Sequence, residues 1–585
     1  MEKDYYKDYD KRVSWDLTSI FKDDEELNKK IDELNTSINK ITIPDSLDTN
    51  NLISLLDEYS LIKELGTKIL MYGSLKYYQN TSDENLALKN RVEKINNEAT
   101  TKLKIIENYL IKFSYDNLIK LPSIKKYKFY LDNLFRMQEY VKDAKTNEKI
   151  KDNTDLINKY INKQNNLINN MTYPDIQVED KTYEITNFNM TKYLASQNRE
   201  LRKLTFLSIN NSFKEKESEF SSILNNIFAL RNDNALLAGY QSVLEKSLFE
   251  ENLPNSLIET LITSVHKNLP IMQKYLELKS KYLDIKDPHL YDLGVSLNKE
   301  VNQKYNIAEA INVIKTALKP LGKEYLQTVD ILLDGHIDAT PNELKHQSIT
   351  FSWQDYAFLN FHGAYGDLKN LVHEFGHIIS YHLAKNKEPF IYADSTIFIG
   401  EIASIVNEIL LNDYLYNNAK NKEEKIFFLS KKIENYFTSV FKQTLYTEFE
   451  NYLYSLDNIT ANILSTKYYE LLTKYYGSNI IVDSEAKFEW MRLGHLYRHS
   501  YYPYKYAAGL LMASSIVTDI STNNLLIEKY IEFLKSGNSN YASEILKMVN
   551  IDITNSKTFY NGFKLLENDI KKLEKIMEGE WYNGF

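Results

Sequence analysis

The 585-residue chain balances 71 basic against 80 acidic side chains for a net charge of −9. It has no large basic block with which to track a phosphate backbone, which argues against a nucleic-acid partner. The absence of cysteine excludes disulfides and thiolate metal sites, so any bound zinc must rest on His and carboxylate ligands. Hydrophobic residues at 43% and charged residues at 26% describe a soluble globular protein large enough to bury a sizeable core.

The first residues, MEKDYYKDYDKRVSWDLTSIF, carry charge throughout and contain no continuous apolar run, so we expect no secretory leader and a cytoplasmic protein. Gly (17) and Pro (10) are scarce and apolar residues recur at helical spacing over most of the length, which predicts a mainly α fold. In FKDDEELNKKIDELNTSINKI, Leu27, Ile31, Leu34, Ile38 and Ile41 form one apolar stripe, with Asp23 or Asp24 placed to cap its start.

Residues 140–170 are polar and charged and read as a solvated helix or connection. They precede YPDIQVEDKTYEITNFN, where two β-favouring runs flank Glu179-Asp180, a hairpin signal. The expected division is an N-terminal helical lobe over 1–190, ending in that hairpin, and a second domain over 191–585. Farther on, QSITFSW and YAFLNFHG (347–363) are aromatic and β-branched and predict two adjacent strands. The most apolar window, 394–411, contains two carboxylates and is short for a membrane span, so it reads as a buried helix.

Immediately after the predicted strands comes LVHEFGHIIS (371–380). On a helix, His377 lies about 40° round from His373, and Glu374 about 60° beyond His377. Two imidazoles can therefore hold Zn²⁺ while the adjacent carboxylate reaches a water beside it, the layout required for metal-assisted hydrolysis. His382, about 180° from His373, falls on the opposite face and is given no role. The competing reading is a pair of core histidines.

A catalytic zinc needs a third protein ligand. Glu401 in FIGEIASIVNEILL is a candidate, and Glu408, seven residues on and so on the same helical face, could accept a ligand histidine's N–H. The alternative for both is a polar stripe facing water. In WMRLGHLYRHSYYPYKYAAGLL, His495, His499, Tyr502 and Tyr504 could donate hydrogen bonds to a developing oxyanion, or could simply form a tyrosine-rich packing cluster.

Taken together, SWDLTSIF (14–21), SQNRELRKLTF (196–206), LYDL (290–293), LNFHGAYGDLKNLVHEFGH (359–377), GEIASIVNE and HLYRHSYYPYKYAAG (495–509) resemble the oligoendopeptidase F group of the thimet-like zinc metallopeptidases nearly end to end. The resemblance implies an elongated, zincin-like helical body with a deep substrate channel and a small β element beside the active-site helix. It implies one Zn²⁺ held by His373, His377 and Glu401, with Glu374 as general base and Glu408 supporting the ligands. His495 and Tyr504 would stabilise the transition state and Tyr502 would bind substrate.

The implied activity is endopeptidase cleavage of short oligopeptides, with no nucleic-acid or membrane partner. A dipeptide-releasing exopeptidase and a non-catalytic metal-containing peptide binder are the alternatives. An extended substrate could pair with a strand edge, for which AFLNF is the expected strand. Two departures from the family pattern stand out. ELKHQSITFSW lacks the small, basic, Gly-containing run of the family, and RHSYY is offset by about one residue from the usual tyrosine segment, which fits Tyr504 better than Tyr501 or Tyr502.

Overall fold

The computed structural model describes residues 13–44, 48–121, 124–140, 142–297, 304–523 and 525–579. The chain's first twelve residues, read above for a leader, lie outside them. Helices dominate and the strands are few and short. The chain divides into two compact units: Met1–Glu139, Asn302–Tyr414 and Asp519–Asn550 form one, and Tyr140–Val301, Leu415–Thr518 and Ile551–Phe585 the other. No helix among the described residues is long and apolar enough to cross a membrane.

In the first unit, α1 (Asp24–Lys40) begins where expected, with the Asp23 carboxylate accepting from Glu26 N–H at 2.9 Å. It buries Leu27, Ile31, Leu34 and Ile38, whereas Ile41 is the residue at which the helix ends. The stripe packs with the long helices α2 (Thr49–Gln79) and α3 (Asp83–Leu110) into one apolar cluster.

The chain then supplies a three-stranded sheet of order β3–β5–β4, comprising Ile337–Asp338, Tyr356–Phe358 and Phe351–Trp353. Trp15, from the first of the family-like segments, packs its ring on Phe351, Tyr356 and Phe358 and donates its indole N–H to the His336 carbonyl at 3.1 Å.

This topology corrects the choice of strand edge. Residues 356–358, which overlap the start of the expected AFLNF strand (357–361), are central: they pair in parallel with β3 and antiparallel with β4, and all three are buried. Both rows of their backbone groups are thus engaged, and the edge that can receive a peptide is β4. Strand propensity marks both runs equally and does not say which lies inside.

Behind the sheet, Lys345 is sealed from solvent. Its ammonium donates to Asp338 Oδ1 at 2.7 Å and to the carbonyls of Leu359 (2.9 Å) and Thr340 (3.0 Å), while Gln79 donates to the other Asp338 oxygen at 2.9 Å. With side-chain exposures of 1% and 4%, removal of the cation leaves a buried, uncompensated carboxylate. We expect Lys345→Met to destabilise this unit by about 3–5 kcal/mol, measured as a shift of the urea unfolding midpoint.

The second unit contains the expected hairpin, β1 (Ile176–Val178) paired antiparallel to β2 (Lys181–Tyr183) across Glu179-Asp180. The polar stretch before it is a helix, Ala144–Asn169. It docks through side-chain amides: Asn153 donates to Asp233 (2.7 Å) and Asn234 (2.9 Å) of helix Glu217–Leu237. Two of the family-like segments also meet here. Arg199 and Arg202 both bind the buried Asp292 carboxylate, at 2.9 and 2.6 Å.

Candidate metal centre and its flanking residues

The H-E-x-x-H segment lies within the helix Tyr365–Lys385. Asp367 holds its start by accepting from the backbone N–H of His362 and Ala364, both at 3.0 Å. A carboxylate at this end also suits the helix dipole. Leu368, Leu371, Val372, Phe375, Ile378 and Ile379 are buried and fix the rotation of the helix, so that His373, Glu374 and His377 line a cavity of about 390 Å³.

A second helix, Ile397–Asn417, brings Glu401 to the same cavity. The two helices touch through backbone: a Cβ built on Gly376 would stand 2.4 Å from Ser404 Cα. Asn407 bridges them, donating to the Val372 carbonyl at 3.2 Å and accepting from the Tyr325 hydroxyl at 2.8 Å.

One donor atom from each of His373, His377 and Glu401 falls within 4.8 Å of the others. His373 Nε2 and His377 Nε2 are 3.1 Å apart, and Glu401 places one oxygen 3.7 Å from the first and the other 3.9 Å from the second. Donors bound to a common tetrahedral zinc would be separated by roughly 3.3 Å. His373 Nδ1 lies 2.6 Å from Glu408 Oε1, a contact that turns Nε2 toward His377. A set of two imidazoles and one carboxylate fits Zn²⁺. One Glu374 oxygen is buried with no hydrogen-bond partner, as expected of a group whose partner arrives with substrate and water.

The charges in this cluster pull one another far from ordinary values. Burial alone would lower His373, but its contact with Glu408 outweighs that and carries it up to about 9. Burial, reinforced by His373, pushes His377 down to about 3. Burial raises both Glu374 and Glu401. Glu408 is also buried, yet Lys369 and His373 hold it below the usual carboxylate range, with Lys369 Nζ 3.0 Å from Oε2. Opposed shifts within one cluster of titratable groups are a feature that functional sites share with structural ion-pair networks.

Sequence reasoning missed Lys369, although it stands four residues before His373 and so on the same face. It also missed Ser352 of β4, whose side chain hydrogen-bonds Glu374. His382, given no role, lies away from the cavity with Nδ1 3.5 Å from Asp355.

His495, Tyr502 and Tyr504 belong to the second unit. Tyr502 is partly exposed and packs its ring against His495 (5.7 Å between centroids), His499 (5.2 Å) and Tyr506 (5.4 Å). Tyr504 is fully buried.

Two residues that the sequence reading missed fix this segment. Arg231 donates to the carbonyls of Leu496 (2.8 Å) and Tyr497 (2.7 Å), and Glu450 accepts from Tyr501 N–H at 2.8 Å, where the backbone has a φ of 49°. A left-handed tyrosine is strained and needs such an anchor.

Burial pushes Glu450 from 4.5 to about 7 despite that N–H and Arg231. A folded value above the unfolded one means that the stabilisation is complete below about pH 4.5 and disappears as the pH rises through 7. Glu450→Gln keeps the acceptor without the charge. Relative to the wild type it should gain about 3 kcal/mol between those limits, read from urea unfolding at acidic and neutral pH.

Residues 192–565 match the family model described as Peptidase family M3. The chain is 27% identical to the oligopeptidase PepF of Bacillus subtilis, over 96% of this chain and 87% of that one. It is 26% identical to the chromosomal oligoendopeptidase F of Lactococcus lactis subsp. cremoris, over 97% of both. Among solved structures it is similar to a peptidase of Chlamydophila abortus (TM-score 0.88, 25% identity, 97% of this chain and 99% of that one). It also shares the fold of the oligoendopeptidase F of Enterococcus faecium (TM-score 0.69, 24% identity, 95% and 99%).

Proposed function

Since the chain belongs to peptidase family M3 and is a metallopeptidase of the oligopeptidase kind, we propose that it is a zinc-dependent endopeptidase that cuts internal bonds of short, unstructured oligopeptides. The observation that carries this reading is the convergence of donor atoms from His373, His377 and Glu401 beside the unpartnered Glu374 oxygen in one cavity. These three residues would hold one Zn²⁺, which when bound supplies Lewis-acid polarisation of the scissile carbonyl and acidifies water at the site.

Glu374 takes the proton of the attacking water and hands it to the leaving amine. Glu408, held by Lys369, orients His373 through Nδ1 so that Nε2 is turned toward the metal position. The free edge of β4 offers backbone donors and acceptors to an extended peptide. By resemblance, His495 and Tyr504 steady the oxyanion and Tyr502 binds substrate. The burial of Tyr504 favours Tyr502 as the hydroxyl that reaches a ligand in this chain. The reading includes a catalytic segment over 191–585 and a cytoplasmic location.

Glu401→Ala removes one of three ligands, so the purified variant should retain well under stoichiometric zinc after dialysis, measured by atomic emission. Full occupancy would show that Glu401 is not a ligand. An end-blocked peptide distinguishes the modes of attack: an endopeptidase cuts it, and a dipeptide-releasing enzyme that requires a free terminus leaves it whole.

A further inference from the structure

A second cavity, of about 840 Å³ and built wholly from the second unit, is lined by Arg492, Arg498, His495 and His499 with no carboxylate in its wall. This is unusual in a chain of net charge −9. Arg498 is braced by the Asn165 side-chain oxygen at 3.1 Å, and both guanidinium groups belong to exposed residues. Burial and the neighbouring cations, Arg498 among them, hold both imidazoles below their ordinary value, so the positive charge of the lining rests on the two guanidinium groups, of which Arg492 also interacts with Glu489 outside the cavity wall. In the same wall Gln164 is 3% exposed, and its buried carbonyl oxygen has no hydrogen-bond partner. The cavity thus offers two guanidinium groups for an anion and one orphaned acceptor for an N–H.

We propose that this cavity is a carboxylate-binding subsite that receives the C-terminal residue of an oligopeptide. The terminal carboxylate pairs with Arg498 and Arg492, and the amide N–H of the same residue donates to Gln164. A free carboxylate next to a peptide N–H is the pairing that these groups complement, and Arg is suited to planar oxyanions. The inference rests on the oligopeptidase reading for the nature of the ligand, but binding can be measured without cleavage.

The test uses the zinc-loaded Glu374→Gln chain and an N-terminally labelled peptide in three forms: free acid, C-terminal amide, and amide with one internal Gln changed to Glu. Fluorescence anisotropy should show the acid binding at least about tenfold more tightly than the amide, with Arg498→Gln and Arg492→Gln each narrowing that ratio and high salt reducing it. Equal affinity for acid and amide overturns the subsite. Binding of the internal-Glu amide as tightly as the acid overturns the assignment to the terminus in favour of an acidic side chain. Cleavage of the same peptides by the wild-type chain tests the peptidase reading separately. Selective binding without cleavage spares the subsite and overturns the enzyme, whereas cleavage without any preference between acid and amide does the reverse.

Discussion

Glu374→Gln should retain a full complement of zinc while its peptide cleavage falls by about 100- to 10,000-fold, the range that a positioned general base contributes. The substitution preserves the shape of a side chain that is 6% exposed and keeps an oxygen for Ser352, so neither the helix nor the three ligands should move. The loss should appear in kcat, because an amide can still hydrogen-bond water but cannot take its proton. Zinc content by atomic emission and steady-state hydrolysis of a quenched fluorescent peptide provide the two readouts. Near-normal turnover would remove Glu374 from the proposed mechanism.

Gly376→Ala should be the most damaging single methyl group in the site. The new Cβ would lie 2.4 Å from Ser404 Cα and 2.8 Å from Ser404 N, where carbon atoms normally stop at about 3.5–4.0 Å. Because the nearest atoms are main chain, no rotamer change relieves the clash and Ser404→Gly does not rescue it. The two helices must separate, and they are the helices that bring His373 and His377 toward Glu401. Overpacking of this kind costs about 1–3 kcal/mol or more, and the displaced donor set should weaken zinc by at least about tenfold, the lower end of what disturbing the support of a ligand does. Competition with a chelating dye and thermal unfolding measure the two effects. Unchanged zinc affinity would mean that the helices do not set the ligand spacing.

The parts of the site that could be read from the sequence are those governed by helical periodicity. His373, Glu374 and His377 share a face through their spacing alone, and the seven-residue spacing from Glu401 to Glu408 puts both on one stripe of an otherwise apolar helix, where each needed a partner. The helix stripe from Leu27 to Ile38 and the hairpin at Glu179-Asp180 are local in the same sense.

What remained hidden depends on tertiary contact. Nothing in QSITFSW or YAFLNF tells which strand will be central, since that is decided by the two-residue β3 arriving from upstream. Arg231 and Glu450 hold a segment hundreds and tens of residues away, respectively, through its backbone, which leaves no pattern to search for. Arg199, Arg202 and Asp292 stood out as family-like segments, yet their function as one buried ion cluster emerges only when the segments meet. Gly376 occupies a position that the H-E-x-x-H pattern leaves open, and its necessity lies in the neighbouring helix.

The central claim is that His373, His377 and Glu401 hold a zinc on which peptide cleavage depends. The most direct measurement is to incubate the zinc-loaded chain with a mixture of short peptides, with and without a chelator, and to map the cut sites by mass spectrometry. The account predicts internal cuts that vanish with chelator, return with one equivalent of Zn²⁺ and are nearly absent for Glu374→Gln. Cleavage that persists after the metal has been stripped would contradict it.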